Sequence, residues 1–118
     1  MYKEIILDLN REPLNKKALA DFDVSYREHN PLCGDDITVQ IKFGIDGKVA
    51  DIGHQGQGCA ISQAAVSLVT DEVKGKTRDE IQKLGKQDVF DLLGTDIIST
   101  RVQCALLGLK AVQNAIKE

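Results

Sequence analysis

Three cysteines and one aspartate are the residues of this chain whose chemistry and placement could build a reactive or metal-binding site. Cys33 and Asp35 lie in a polar, turn-forming loop over residues 30–36, where a thiol and a carboxylate can point toward the same place. Cys59 and Cys104 each fall near the predicted start of a helix, where unpaired N–H groups and the helix dipole favour the thiolate form. We expect all four residues to contribute to one metal or sulfur site.

The donor set allows two kinds of metal chemistry. Zinc takes four tetrahedral ligands from cysteine, histidine or carboxylate, and iron–sulfur clusters take four ligands that are usually all cysteine. Three cysteines with Asp35 satisfy either requirement, although their spacing is not that of a C-x-x-C pair. A carboxylate in place of a fourth thiolate matches soft iron–sulfur chemistry less well, which suits a cluster that is handed on. The competing interpretation is three unrelated buried cysteines that act as small hydrophobic residues.

Four neighbouring polar residues have both a structural and a functional interpretation. His54 is a partly buried histidine at a strand end or a further ligand, and His29 is a surface loop residue or a ligand. Arg101 is a solvated charge, or a cation that stabilises the Cys104 thiolate or meets an anionic persulfide. Asp36 is expected to be a turn or strand-start residue rather than a fifth ligand. A cysteine–histidine hydrolase is disfavoured because no residue set here supplies an evident oxyanion site.

Length, composition and charge exclude several classes of protein. The 118 residues predict one domain over 1–118, and 42% hydrophobic with 28% charged residues is an ordinary globular composition. A net charge of −3 argues against nucleic-acid binding, which usually needs a basic face. No apolar run approaches the roughly 18 residues of a membrane span, and the N-terminus has no signal-peptide pattern. We therefore expect a cytoplasmic protein whose three cysteines are reduced rather than paired in disulfides.

The hydrophobic pattern predicts an α+β fold, a three-stranded antiparallel meander with helices packed on one face of the sheet. Alternation with period 2 marks the strands. The strands are expected around residues 22–27, 37–43 and 49–54. Asp46-Gly47 predicts the hairpin between the last two strands, with positive φ at both residues of the turn.

The other elements are predicted to be helical. A short amphipathic helix over residues 2–9, with Ile5, Ile6 and Leu9 on one side, opens the chain and ends before Pro13. Four more helices follow the strands. Their expected limits are Cys59 and Gly75, Thr77 and Gly85, Asp88 and Gly94, and a start capped by Ser99 or Thr100. The last helix also carries a flank of small residues that something could approach closely, comprising Cys104, Gly108, Ala111 and Ala115.

Three cysteine motifs occur in order along the chain: Asn30-Pro31-Leu32-Cys33-Gly34-Asp35, Gly56-Gln57-Gly58-Cys59-Ala60-Ile61-Ser62 and Arg101-Val102-Gln103-Cys104. An opening stretch, residues 2–8 followed by Pro13 and Asn15, accompanies them. Together these features resemble the IscU/NifU-N-terminal iron–sulfur scaffold family, and the resemblance covers nearly the whole chain. No single motif is as specific as the ordered set.

The resemblance implies a scaffold or carrier rather than an enzyme in the usual sense. Such a protein receives persulfide sulfur from a cysteine desulfurase, assembles a [2Fe–2S] cluster and passes it to apo-proteins. The implied ligands are Cys33, Cys59 and Cys104, with Asp35 as fourth ligand or as a gate for cluster release. Zn²⁺ would occupy the same site, and Cys104 would accept the persulfide. In the zinc-dependent sulfur-acceptor branch, which is sulfurtransferase-like, Cys33 would instead exchange with the desulfurase.

Two departures place the chain between the branches of that family. IscU sequences have a histidine where this chain has Gln103, and a Leu-Pro-Pro-Val-Lys chaperone motif that residues 96–101 do not supply. Recognition by the dedicated Hsp70-type chaperone is therefore not implied. The Arg-x-x-Cys pattern resembles the SufU branch, but that branch carries an insertion before the third cysteine that is missing here. Coordination by His54 or Gln103 stays an open alternative.

Overall fold

The computed structural model describes residues 4–31, 34–95, 97 and 99–117. Within these ranges the chain forms a short helix, three strands and then a run of helices, as the sequence predicts for an α+β fold. A 3-10 turn, Ser99–Arg101, precedes the last helix. The elements are α1 (Glu4–Arg11), β1 (Val24–Asn30), β2 (Asp35–Phe43), β3 (Val49–Gln57), α2 (Ala60–Val73), α3 (Arg78–Gln82), α4 (Lys86–Leu93) and α5 (Val102–Ala115).

The sheet is the predicted antiparallel meander, with strand order β1-β2-β3. β2 is its central strand, and its alternating pattern places Ile37, Val39 and Ile41 on the buried face, where none of them is exposed to solvent. Because successive side chains of a strand point to opposite faces, Asp35 lies on the same buried face as these three residues. The first residue of the central strand therefore points toward the helices.

Four strand limits differ from the sequence prediction, since β1 also continues to Asn30 instead of residue 27 and β2 begins at Asp35 instead of residue 37. β1 begins at Val24, so Phe22 lies outside the strand and is 41% exposed. β3 continues to Gln57, three residues beyond the predicted end, because it pairs with β2 as far as Asp36. His54 is consequently an interior strand residue opposite Val39, and not a residue at a strand end.

The hairpin between β2 and β3 lies at the predicted place but uses a different turn. Gly47 has φ of 79°, whereas Asp46 is not in the positive-φ region. The Gly47 amide donates to the Gly44 carbonyl at 3.0 Å, and the Gly44 amide donates to the Lys48 carbonyl at 2.8 Å. The loop thus combines an ordinary turn with one left-handed glycine, and the extra residue appears as a register shift beside Phe43.

The predicted start of α3 and end of α4 are confirmed, but α3 ends at Gln82 rather than at Gly85. Gly85 is instead the N-cap of α4, which starts at Lys86 rather than at Asp88, because the Asp88 side chain accepts from the Gly85 amide and so belongs to the first turn. Thr77 and Glu80 form the expected capping box at the start of α3, and Gly94 ends α4 in the left-handed conformation. Gly75, with φ of 80°, follows the C-cap of α2. α5 starts later than predicted, since Arg101 rather than Ser99 or Thr100 occupies its N-cap position.

α1 differs from the prediction in its end and in its apolar face. It runs to Arg11, and of the residues predicted to share one side, Ile6 and Leu9 are buried while Ile5 is 39% exposed. The helix packs mainly against α2. No helix within the described ranges is long and apolar enough to cross a membrane.

α2 and α5 pack against each other and cover the buried face of the sheet, and α1 packs on α2. The small-residue flank of α5 is fully used in this packing, because Gly108 lies directly against Val66 of α2. Cys104, Ala111 and Ala115 on the same flank are also buried. The space predicted for an approaching partner is therefore filled by α2 over this part of the helix.

Candidate metal centre

Three of the four predicted site residues meet at one end of the fold. One possible ligand atom from each of Asp35, Cys59 and Cys104 lies within 4.8 Å of the other two. These residues come from the start of β2, the entry to α2 and the first turn of α5, so the packing of the helices on the sheet creates the cluster. Cys33, the fourth predicted member, lies outside the described residues. The role of all four as ligands stays a prediction.

Asp35 is the first residue of β2. The sequence instead predicts that it lies in the loop over residues 30–36. It pairs with Asn30 across the β1–β2 hairpin, and the Gly34 amide donates to the Asn30 carbonyl at 2.9 Å. Gly34 has φ of 71°, as expected for the residue that gives this turn its freedom. The result is a carboxylate with no solvent exposure, held on the helix-facing side of the sheet.

The Asp35 carboxylate contacts the start of α2 through both oxygens. Oδ1 accepts a hydrogen bond from the backbone amide of Cys59 at 2.9 Å, and Oδ2 lies 3.9 Å from the Cys59 sulfur. Cys59 is the N-cap residue of α2 and is half-buried, with extended backbone (φ −72°, ψ 170°). Its thiol therefore lies at the positive end of the helix dipole, as the sequence predicts.

Cys104 is the least accessible of these groups, with 2% exposure. It is the third residue of α5, and it follows Arg101, which is half-buried at the N-cap. The sequence predicts that this thiol lies on a small-residue flank that something could approach closely. Instead it belongs to the buried face of α5, because the helix buries a wider arc than its large apolar residues define.

The alternative ligand candidates are engaged elsewhere. His54 is buried, and its Nε2 lies 2.8 Å from the Leu14 carbonyl oxygen; burial lowers the pKa of this imidazole. Gln103 is exposed and accepts a hydrogen bond from Lys110 at 3.0 Å. His29 is exposed, and it lies in β1 rather than in a loop.

Asp36 is the strand residue that the sequence analysis favoured over a fifth ligand. Its carboxylate forms a two-point ion pair with the Arg27 guanidinium of the neighbouring strand, including an Nε–Oδ1 hydrogen bond of 2.8 Å. This hydrogen-bonded pair lowers the pKa of Asp36. The adjacent acidic residues thus face opposite sides of the sheet and have different partners.

Two residues that sequence reasoning did not single out hold the first turn of α2. The Asn10 side-chain amide donates to the Ala60 carbonyl at 3.0 Å and to the Ile6 carbonyl at 2.7 Å, which ties α1 to α2 beside Cys59. The Ser62 hydroxyl donates to the Cys59 carbonyl at 3.0 Å. Ser62 could have been found from its place in the first turn of a predicted helix. The Asn10 contact spans 50 positions and leaves no local signal.

A shallow groove lies beside the site, between β1 and α5. It has a volume of roughly 270 Å³, and its lining includes His29, Asn30, Pro31, Gln103 and Lys110. In the sequence, Pro31 lies two positions before Cys33, and Gln103 lies directly before Cys104.

Comparison with known proteins gives a consistent family. The model of the NifU-like N-terminal domain matches residues 1–118. The zinc-dependent sulfurtransferase SufU of Bacillus subtilis is 31% identical, over 98% of this chain and 89% of its own length. The iron–sulfur cluster assembly scaffold protein IscU of Thermotoga maritima is 34% identical, over 100% of this chain and 94% of its own length.

Solved structures show the same fold. The SUF-system protein FiSufU of Fervidobacterium islandicum superposes with a TM-score of 0.83 at 24% identity, covering 98% of this chain and 96% of that one. The N-terminal part of a NifU-like protein of Brucella abortus gives a TM-score of 0.79 at 25% identity, covering 98% and 91%. Both likenesses extend over nearly the entire length of the chains compared.

The relatives named SufU and IscU do not differ consistently in the length of their alignment with this chain. The alignments with B. subtilis SufU and with T. maritima IscU each run over 134 positions, so each relative has at least 16 residues with no counterpart among the 118 here. The alignment with IscU 1 of Archaeoglobus fulgidus, at 34% identity, runs over only 116 positions. The family match over the full sequence, together with these identities, shows that the chain belongs to the NifU-like N-terminal domain family.

Proposed function

We propose that this protein is a scaffold on which a [2Fe–2S] cluster is assembled and from which the cluster is passed to apo-proteins. The observation that carries the proposal is the convergence of Asp35, Cys59 and Cys104, whose ligand atoms lie within 4.8 Å of one another. Cys33 would complete the set from the loop between β1 and β2. The names of the relatives, several of which are iron–sulfur cluster assembly scaffold proteins, support this proposal.

The donor set suits a cargo that must leave again. Thiolates bind iron tightly, whereas a carboxylate is a harder ligand that matches iron–sulfur chemistry less well. The second oxygen of Asp35, 3.9 Å from the Cys59 sulfur, lies where it could complete the coordination of a metal held by the thiols. Asp35 would therefore be the weakest ligand of the cluster, and release of the cluster would begin with the loss of this ligand.

Sulfur would enter as a persulfide from a cysteine desulfurase. The thiolate of Cys104 would attack the outer sulfur of the desulfurase persulfide; a new S–S bond forms at Cys104 as the old one breaks, and the desulfurase cysteine leaves as a thiolate. Arg101 precedes Cys104 by one helical turn and would stabilise the resulting anionic persulfide. Because Cys104 is 2% exposed, this step requires local opening at the start of α5.

The second candidate function is a zinc-bound sulfur acceptor. It is favoured by the 31% identity to a zinc-dependent sulfurtransferase over nearly the whole chain. The same four residues would bind Zn²⁺ tetrahedrally, and Cys33 would exchange from the metal to receive the sulfur. Either function needs free thiols, so we place the protein in a reducing compartment such as the cytoplasm.

Anaerobic reconstitution distinguishes the two functions. The metal-free protein would be mixed with ferrous iron, cysteine and a cysteine desulfurase, and the visible spectrum followed before and after addition of an apo-ferredoxin. A sulfur-to-iron charge-transfer spectrum that moves to the ferredoxin is the result expected for the scaffold. Faster desulfurase turnover by the zinc form, without a chromophore, would support the sulfur acceptor instead. The Cys59→Ser protein serves as the matched control and should give neither response.

A further inference from the structure

The backbone amide of Cys59 donates its hydrogen bond to a different kind of partner from the amides at the starts of α3 and α4. At the starts of α3 and α4, the N-cap amide donates to a carboxylate of the helix's own first turn: Thr77 to Glu80 at 3.0 Å and Gly85 to Asp88 at 2.7 Å. At the start of α2 the corresponding carboxylate is that of Asp35, which comes from the sheet. One oxygen of Asp35 is thus already committed to the backbone of α2.

Gly58 is the residue that makes room for this arrangement. An added Cβ would lie 2.7 Å from Oδ1 and 3.0 Å from Cγ of Asp35, and 2.2 Å from the hydroxyl oxygen of Ser62. The backbone of Gly58 is outside the positive-φ region, so conformational freedom does not explain a glycine there. Gly56 is different, because its φ of 125° is one that side chains rarely allow.

A side chain at position 58 would overlap the Asp35 carboxylate in its present position. Asp35 is a paired strand residue with no solvent exposure, and its side chain already points between β2 and α2. A methyl group at position 58 would therefore push the carboxylate away from the Cys59 amide. Because both oxygens belong to one rigid carboxylate, the same displacement would move Oδ2 relative to the Cys59 sulfur.

We propose that Gly58 is a positioning residue of the metal site, which sets the place of the Asp35 carboxylate relative to the start of α2. The proposal rests on the proposed function for the claim that Asp35 binds metal, but its first step concerns the metal-free protein alone. Partners that orient a metal ligand typically change metal affinity 10- to 100-fold when they are altered.

The first readout needs no metal. Amide hydrogen exchange at Cys59 would be measured for the metal-free protein and for the Gly58→Ala, Asp35→Ala and Gly85→Ala variants. Exchange at Cys59 should accelerate in Gly58→Ala to about the extent seen in Asp35→Ala. Gly85→Ala is the matched control, because it also replaces a glycine at a helix start, where the nearest atom to the new Cβ is 4.0 Å away. It should leave Cys59 unchanged.

The second readout is zinc affinity, measured by competition with a chromophoric chelator. Gly58→Ala should weaken zinc binding about 10- to 100-fold in the original protein. In an Asp35→Ala background the same substitution should have little further effect, because the group that it displaces is gone. An equal loss in both backgrounds would show that Gly58 acts on something other than Asp35 and would overturn the proposal.

A replacement variant covers the case in which Gly58→Ala does not fold, and the exchange measurement separates failure of this inference from failure of the proposed function. If Gly58→Ala does not fold, the Gly58→Ala/Ser62→Ala protein replaces it, with Ser62→Ala as its control, because the closest contact of the new methyl group is then removed. Unchanged exchange at Cys59 in that protein would overturn the inference. If the unsubstituted protein binds neither zinc nor iron, the proposed function fails, whereas the exchange result still decides the inference.

Discussion

Gly108 of α5 lies directly against Val66 of α2: a Cβ on Gly108 would be 2.8 Å from the Val66 Cβ and 2.9 Å from its Cα. The two helices approach here at backbone distance because one of them has no side chain. α2 carries Cys59 at its N-cap and α5 carries Cys104 in its first turn. This contact therefore helps to set the distance between the two thiols.

Gly108→Ala should destabilise the protein, although alanine is normally favoured over glycine inside a helix by up to about 1 kcal/mol. Overpacking of a filled core typically costs about 1–3 kcal/mol, and here the opposing atoms include backbone. The free energy of unfolding from urea titrations would show the loss. Lys110→Ala, an exposed substitution on the same helix, is the control and should change stability little. A more stable Gly108→Ala protein would mean that the two helices are not in this contact.

Asp35 and Asp36 provide a matched pair of adjacent carboxylates with opposite expectations. Asp35→Ala should lengthen the lifetime of a reconstituted cluster, because the harder ligand through which release begins is removed. Asp36→Ala should leave that lifetime unchanged, because its carboxylate is paired with Arg27 on the other face of the sheet. Decay of the visible absorption after addition of a chelator measures both. Faster decay in Asp35→Ala than in the original protein would rule out the role of Asp35 in release.

Asp35→Asn separates the two functions that the structure suggests for this side chain. The amide oxygen of asparagine can still accept from the Cys59 amide, but the negative charge is lost. Asp35→Ala should lower the free energy of unfolding by about 0.5–2 kcal/mol, the usual effect of losing a helix cap, and Asp35→Asn should lower it less. Thermal and urea unfolding of the metal-free variants measure this difference. Equal losses would indicate that the hydrogen bond to Cys59 contributes nothing to stability.

His54 should make stability depend on pH on the acid side of neutrality. Burial lowers the pKa of His54 below its ordinary value of 6.5, so between the two values the unfolded chain binds more protons than the folded one. The contribution is fully present above about pH 6.5 and is lost as pH falls below it. His54→Gln, which can still donate to the Leu14 carbonyl, should flatten the decline of unfolding free energy between pH 7.5 and 5.5. The exposed His29→Gln serves as control, and an unaltered slope in His54→Gln would contradict the assignment.

The parts of the fold that could be predicted from the sequence depend on local chemistry. The central strand follows from the strict alternation of Ile37, Val39 and Ile41, since only that register buries all three. The α3 capping box follows from the spacing of Thr77 and Glu80. In both cases the residues that decide the structure are near one another in sequence.

The segment between α1 and β1 shows why other parts could not be predicted. The side chains of Gln63, Ser67 and Thr70 form a buried polar stripe on α2, which hydrophobic patterning alone would place on the surface. Each bonds to the segment: Lys16 to Gln63 at 3.1 Å, the Leu14 amide to Ser67 at 3.3 Å and Asn15 to Thr70 at 3.1 Å. These partners are about fifty positions apart, so no local pattern reveals them.

The proximity of three of the predicted site residues follows from the sequence prediction, but their environment does not. Residue type and motif identified Asp35, Cys59 and Cys104, because sulfur and carboxylate donors are chemically distinctive. Their burial was not foreseen: Asp35 was assigned to a loop, but pairing with Asn30 extends β2 and carries it beneath α2. Cys104 was expected at an open flank, which the contact of Gly108 with Val66 closes. Both differences arise from tertiary packing.

The most direct test of the account is X-ray absorption spectroscopy at the zinc edge of the zinc-loaded protein. We expect three sulfur neighbours at about 2.3 Å and one oxygen at about 2.0–2.2 Å, the ordinary distances for zinc–thiolate and zinc–carboxylate bonds. Cys33→Ser, Cys59→Ser and Cys104→Ser should each remove one sulfur from the first shell or abolish binding. A first shell with fewer than three sulfurs in the original protein, or one left intact by any of these substitutions, would contradict the proposed four-residue site.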